Sequence, residues 1–364
     1  MTPLVSHSSL SSPLARSLRT VAAYVWVALW CYAATGCGES EPVVEIALHP
    51  SKPHILYIAT NAYVYKTRDE GATWQNISRG MTHSRVISLA IDPLFSANVY
   101  AGTKGDAVFK SYNGGQNWVS QRDGLDSVTI SSVVHELVFV PGSSNHLYAA
   151  TSMGVFESDT AGETWMKRME GMKEVLMVIA LAIDSHHHHT LYAGTSGGVY
   201  KSLDGGVWWE KVNNGLVAPE VLKSSRALGV TKIKVDPHHE QSVYTATLTG
   251  LYKTVNGGQA WQKIGENLPD HMLSDLIIDP VYPDIVYVTS RKGVHKSVDG
   301  GASWESVNHG LDNLNIRALV MSPLDSRLLY VGTNGSGLYR SRDGGESWQS
   351  VPLIIPTDNP KKLH

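Results

Sequence analysis

The chain has 364 residues, 42% hydrophobic and 17% charged, with a formal net charge of −3. That composition excludes a disordered chain. The absence of a basic excess argues against nucleic acid or an anionic lipid surface as the partner. Both cysteines, Cys31 and Cys37, lie near the N-terminus, so the rest of the chain has no disulfide framework and no thiolate metal site.

In chain order, residues 1–36 read as a targeting segment. Arg16 and Arg19 precede the uncharged apolar stretch Val21–Gly36, which is short for a spanning helix and normal for a signal segment. It ends in Ala34-Thr35-Gly36-Cys37, which resembles a bacterial lipobox, with Ala34 where Leu is usual. The expectation is a protein of the bacterial cell envelope, lipid-anchored through Cys37 or secreted. Ordinary cleavage after Gly36 without a lipid, or a retained anchor, are the alternatives. Residues 37–42 are then a polar linker.

From residue 43 to 352 the chain repeats. The boxes are "TRDEGATW" (Thr67–Trp74), "SYNGGQNW" (Ser111–Trp118), "SDTAGETW" (Ser158–Trp165) and "SLDGGVWW" (Ser202–Trp209), then "TVNGGQAW" (Thr254–Trp261), "SVDGGASW" (Ser297–Trp304) and "SRDGGESW" (Ser341–Trp348). A period in the forties means one supersecondary unit per repeat. Each unit holds three short runs rich in Val, Ile, Leu and Tyr, parted by Asp-Pro and Gly turns, and a fourth run starts at the Trp. Four strands in each of seven repeats predict an all-β, seven-bladed propeller of antiparallel blades, followed by a tail over 353–364. The box is the turn between third and fourth strands. Asp or Asn caps backbone N–H groups, Gly supplies positive φ, and Trp packs against strands. It is a structural device and not a site.

These boxes resemble the BNR or Asp-box repeat, found in sialidases, xyloglucan-active glycosidases, sortilins and photosystem II stability/assembly factor-like propellers. The resemblance covers all seven copies and implies the fold far more than the function. Box 3 departs from it with Thr160 and Ala161, and box 1 with Glu70, so those two turns are expected to be looser. No strand crosses over to join the ends, so ring closure is expected to rest on blade 7 packing against blade 1. An insertion, Leu216–Thr231, is expected between blades 4 and 5 on the face away from the boxes.

Propellers bind ligands at one mouth of the central channel. Aligned first strands give one frequently polar column: Glu45, Ser88, Glu136, Ala180, Lys232, Asp275 and Ala318. Three acids and a lysine would converge at the axis, either as a binding ring, as a carboxylate pair for glycoside hydrolysis, or as a solvated wall. Loops entering these strands carry Arg85, Arg226 and Arg317, with Lys173 and His271, as a basic rim suited to a carboxylate or an acidic segment, or as ordinary surface charge. "SHHHHT" (Ser185–Thr190) and "DPHHEQ" (Asp236–Gln241) raise a metal reading, but consecutive histidines cannot all face one ion. The sequence assigns no metal and no cofactor.

Sialidases resembling this repeat carry an Arg-Ile-Pro motif, which is missing here. Xyloglucan-active relatives set two propellers across a cleft, and one is expected here. The reading is a monomeric, non-catalytic scaffold resembling photosystem II assembly factor-like proteins. It binds a protein or glycan at the channel mouth, through Glu45, Glu136, Lys232, Asp275 and the rim arginines. The alternative is a glycoside hydrolase using channel carboxylates.

Overall fold

A computed structural model describes residues 41–81, 84–125, 133–172, 177–217, 228–270 and 272–353, all within one compact unit. The targeting segment, Cys37, and the rim residues Lys173, Arg226 and His271 lie outside the described residues. So does the tail beyond Leu353.

The described residues form seven four-stranded antiparallel sheets, each with its strands in sequence order, which is the seven-bladed propeller expected. First strands run Val43–Leu48, Arg85–Ile91, Val134–Phe139, Val178–Ile183, Lys232–Val235, Asp275–Ile278 and Ile316–Met321. Second strands follow the pattern "LYIAT" (Leu56–Thr60) or "VYTAT" (Val243–Thr247) and are buried along their length. A blade has neighbours on both faces, so its inner strands carry continuous apolar runs instead of alternating ones.

The hydrophobic cores lie between blades. One joins Ala47, Tyr57, Val64 and Ile77 of blade 1 to Val86, Leu89, Phe109 and Trp118 of blade 2. The box tryptophans are 1–6% exposed, and each belongs to such a seam. Four indole N–H groups donate to the carbonyl just past the fourth strand of the preceding blade: Trp118 to Ile77 (2.7 Å), Trp209 to Arg168 (3.2 Å), Trp261 to Val212 (2.7 Å) and Trp348 to Val307 (2.8 Å). Trp74 does the same across the ring closure, to Pro352 at 3.1 Å. Trp304 turns instead to its own Gly301 (3.0 Å), and the Trp165 N–H is buried without an acceptor among the described residues.

A second grip recurs at six of the seven seams: the second-strand tyrosine, the third-strand lysine or both reach the carbonyl at the first-glycine position of the next blade's box. Tyr148 acts without a lysine because blade 3 has Glu157 there. Tyr100 Oη and Lys110 Nζ donate to Ala161 O (2.9 and 2.8 Å), and Tyr244 Oη and Lys253 Nζ donate to Gly300 O (2.9 and 3.1 Å). Positive φ turns that carbonyl toward the neighbour. Gly300 adopts it freely at 67°, whereas Ala161 (54°) and Glu70 (57°) carry a side chain in the left-handed region.

The two divergent boxes were expected to be loose, and they are not. In box 3, Thr160 Oγ1 takes over the aspartate's role and accepts from Thr164 N at 2.9 Å, while Ser158 Oγ accepts from Gly162 N at 2.8 Å. In box 1, Glu70 accepts from Arg340 Nη1 at 2.9 Å and from Arg342 Nη2, both on blade 7. The departure from glycine thus places a carboxylate at the ring closure, where blade 7 has arginine in place of the usual lysine. Among the described residues no strand crosses over there. A mixed core of Val43, Ile46, Leu56 and Trp74 with Tyr330, Leu338 and Val351 completes the closure, as the sequence led us to expect. At Gly71, a Cβ would sit 2.2 Å from Val351 Cγ1, so that approach requires glycine. The described ends of the insertion meet the turn between second and third strands of blade 5, with Thr249 Oγ1 donating to Val217 O at 2.9 Å, on the face away from the boxes.

Trp348→Phe should lower stability by about 1 kcal/mol more than Trp165→Phe, because only the first loses an inter-blade hydrogen bond. Urea unfolding of the two variants checks this. A double-mutant cycle of Glu70→Gln with Arg340→Gln should give a coupling of about 0.5–1 kcal/mol that shrinks in 1 M salt, measured by the same method.

Candidate functional site

The channel wall is built from the first strands. In five of them a register irregularity falls just before the column residue: between Val43 and Glu45, Val86 and Ser88, Val134 and Glu136, Val178 and Ala180, and Ile316 and Ala318. A bulge puts two residues against one on the partner strand and re-aims the side chains around it. The extra residues are Val44, Ile87, His135, Ile179 and Arg317.

The column does bring its charged members together. Lys232 Nζ lies 3.5 Å from Asp275 Oδ1, and Lys234 Nζ lies 3.4 Å from Glu136 Oε1. Burial pulls the Lys232 ammonium down, but the fields of Asp275, Glu136 and Glu45 outweigh it and hold the group above the usual lysine range. Two of the three acids are committed to the architecture. Glu136 Oε2 accepts from Leu181 N of blade 4 at 2.8 Å, and Asp275 Oδ2 accepts from Leu319 N of blade 7 at 3.0 Å. In each case the next blade has alanine in the column, Ala180 or Ala318, which leaves room for the carboxylate. Ser88 also bridges forward, its hydroxyl donating to Val134 O at 3.2 Å.

Glu45 is different. Its pKa is pushed up to about 8, first by burial, with Lys232 opposing and the charges of Asp275 and Glu136 adding to the rise. It is therefore a protonated carboxyl at neutral pH, able to donate a hydrogen bond into the channel. Sequence alignment identified the position but not this chemistry, which depends on neighbours from three other blades.

Of the rim arginines, Arg85 opens the first strand of blade 2 and Arg317 is the bulged residue of blade 7, so both stand in strands rather than in the loops before them. Arg85 Nη2 donates to Asn61 Oδ1 of blade 1 at 2.6 Å, and Arg317 Nη1 to Asn334 Oδ1 at 3.3 Å. The two flank blade 1, whose turn between second and third strands presents the exposed Tyr63. Sequence reasoning passed over His135, the bulged residue of blade 3. Burial draws its pKa down to about 4, and Nε2 lies 3.2 Å from Ser152 Oγ, so it is a neutral imidazole at the same mouth. The repeated offset from Glu136 was the available signal.

No family model matches the chain. A xyloglucanase of Hypocrea jecorina is 27% identical over 121 residues, 33% of this chain and 14% of that protein. Among solved structures, a GH74 enzyme of Niastella koreensis superposes with a TM-score of 0.66 at 17% identity, over 86% of this chain and 54% of its own. A structure of YCF48 bound to D1 peptide superposes with a TM-score of 0.61 at 15% identity, over 84% of this chain and 94% of its own. These likenesses are to the fold. The chain spans about half the length of the GH74 structure and about the whole of the YCF48 structure.

Since Glu45 is protonated in the folded protein and ionised in the unfolded chain between pH 4.5 and about 8, its contribution to stability falls as pH rises through that window. Glu45→Gln should remove this slope, at most about 1.4 kcal/mol per pH unit. The variant should be the more stable protein at pH 8, with the gap closing toward pH 4.5. Denaturant titrations of both proteins at several pH values read it directly.

Proposed function

We propose that the chain is a non-catalytic propeller of the bacterial envelope or exterior, tethered through Cys37, that binds an acidic protein segment or a glycan at the channel mouth. Glu45 and Lys232 would act from the channel wall, Arg85, Arg226 and Arg317 from the rim. The observation that carries this reading is the commitment of Glu136 and Asp275 to backbone N–H groups of neighbouring blades. A carboxylate engaged in this way is a poor base or nucleophile, because its charge is already stabilised. What the channel offers a ligand is a neutral carboxyl, an ammonium and guanidinium groups, a set suited to carboxylate or hydroxyl recognition. A YCF48 propeller of similar size that is bound to a peptide supports a peptide as occupant.

A glycoside hydrolase is the second reading. The match to a xyloglucanase favours it, as does Glu45, whose raised pKa is that of a general acid.

The test is a pull-down from envelope membranes with wild type and with Arg85→Ala/Arg226→Ala/Arg317→Ala. The variant should lose the partner about tenfold or more, and capture should weaken with salt. In parallel, wild type, Glu45→Gln, Glu136→Gln and Asp275→Asn are screened on xyloglucan and other glycosides. Turnover abolished by those substitutions would replace the scaffold reading with the hydrolase.

A further inference from the structure

At the opposite, box-bearing end, the loops between first and second strands of blades 4 and 5 bring histidines and acids together. Asp184 closes the blade 4 strand. Its Oδ1 accepts from the backbone N–H groups of His186 (2.8 Å) and His187 (3.2 Å), which fixes the carboxylate in place. The side chain is only 3% exposed, yet its second oxygen, Oδ2, takes no hydrogen bond from the described residues. Repeat-mates differ. In blade 2 the matching oxygen of Asp92 accepts from Asn98 Nδ2 at 3.0 Å, and in blade 5 that of Asp236 faces His239 Nδ1 at 3.3 Å. In blade 4 the residue in Asn98's place is Thr190, and Oδ2 faces His187 Nδ1 at 3.9 Å. From blade 5, Glu240 Oε2 approaches the same His187 Nδ1 to 2.7 Å.

We propose that Asp184 Oδ2, His187 Nδ1 and Glu240 Oε2 form a site for a borderline divalent transition-metal ion, with zinc as its type, that bridges blades 4 and 5. One ligand atom from each of the three residues lies within 4.8 Å of the other two, and His187 Nδ1 stands 3.9 Å from Asp184 Oδ2 and 2.7 Å from Glu240 Oε2. Three N and O ligands, each roughly 2.0–2.2 Å from a common ion, stand about 3–4 Å apart, so small rotations of two side chains complete the set. Those two are free to rotate: the His187 and Glu240 side chains are 64% and 43% exposed, while Asp184 is held by the backbone. Two carboxylates beside a neutral imidazole supply two negative charges for a dication. To ligate through Nδ1, the neutral imidazole carries its proton on Nε2, so the contact of Nδ1 with Glu240 is exchanged for one through the metal. The mixed N/O donor set favours zinc, nickel or copper over magnesium or calcium, which take oxygen ligands. The tetrahistidine tract is thus not a chelating run. Only His187 within it has two carboxylates from different blades beside it.

The experiment is calorimetric titration of the propeller with zinc chloride, with magnesium chloride as a comparison arm, plus thermal unfolding in both salts. Wild type should bind one zinc. Its unfolding midpoint should rise by about 2–4 °C at zinc a hundredfold above the dissociation constant, because the ion cross-links two blades. Glu240→Gln, an exposed isosteric change, should weaken zinc binding at least tenfold. His188→Ala, in the tract but outside the triad, should change it less than threefold. No zinc heat in wild type overturns the proposal. So does binding that survives Glu240→Gln within threefold, which would mark zinc as held by the histidine tract alone, and so does binding that His188→Ala abolishes.

Discussion

A blade of this propeller cannot satisfy its own box. The turn exposes a carbonyl at its first-glycine position and an indole N–H at its end. At most seams both find partners on the preceding blade, the carbonyl with Tyr Oη and Lys Nζ and the indole with the residue past the fourth strand. Each neutral hydrogen bond contributes only about 1 kcal/mol net, but each is anchored on a tryptophan burying about 150–250 Å². Stability therefore resides in the seams. An open stack would leave the Trp74 indole without its Pro352 acceptor and expose the apolar seam shared by Trp74, Tyr330 and Leu338, so closure is favoured. The closing seam has its own chemistry, since the lysine-to-carbonyl contact is replaced there by Arg340 and Arg342 on Glu70.

The same logic runs into the channel. Glu136 and Asp275 look like site residues because they are acids on the axis, yet each holds the blade ahead by a backbone N–H. Glu45 makes no such bond to the blade ahead among the described residues. That blade has Ser88 in the column, its hydroxyl turned to Val134. Without a donor from the blade ahead, and with burial outweighing the Ile46 N–H and the Lys232 charge, the carboxyl has its pKa raised to about 8. Its unusual titration is the residue of an assembly rule applied around a ring whose members are not identical.

The blades, their order and the burial of seven tryptophans were legible because they follow from period, turn chemistry and apolar runs. Convergence of Glu45, Glu136, Lys232 and Asp275 was legible by aligning first strands. The first-strand bulges were not, because an extra residue in a strand has no compositional mark. Nor was the meaning of Glu70: judged within its own turn it is a defect, and only the arginines of the last blade make it a contact. The signal existed, since Lys66, Lys110, Lys201, Lys253 and Lys296 recur in the third strands and blade 7 has Arg340 instead. Reading it required knowing that repeat seven touches repeat one. The histidine tract raised a metal reading that the sequence itself could not support. Four adjacent imidazoles attract notice as a group, whereas the geometry singles out His187 for its neighbours on a different repeat.

Repetition also separates scaffold from function. Positions that recur in most blades, the box Asp and Gly, the Trp, the second-strand Tyr and the third-strand Lys, are occupied in making seams and have little left to offer a ligand. Positions where one blade departs from its siblings are the ones left to serve something else. Glu70 departs and serves the closing seam through Arg340. Glu45, Lys232, Arg85, His187 and Glu240 depart and line the channel, the mouth or the box-side groove, several of them paired with a neighbouring blade: Lys232 with Asp275, Arg85 with Asn61 and His187 with Glu240. This is also why propellers as alike in backbone as a GH74 enzyme and YCF48 differ in what they engage. The seams fix the ring, and the few positions that depart from the repeat decide what the ring does.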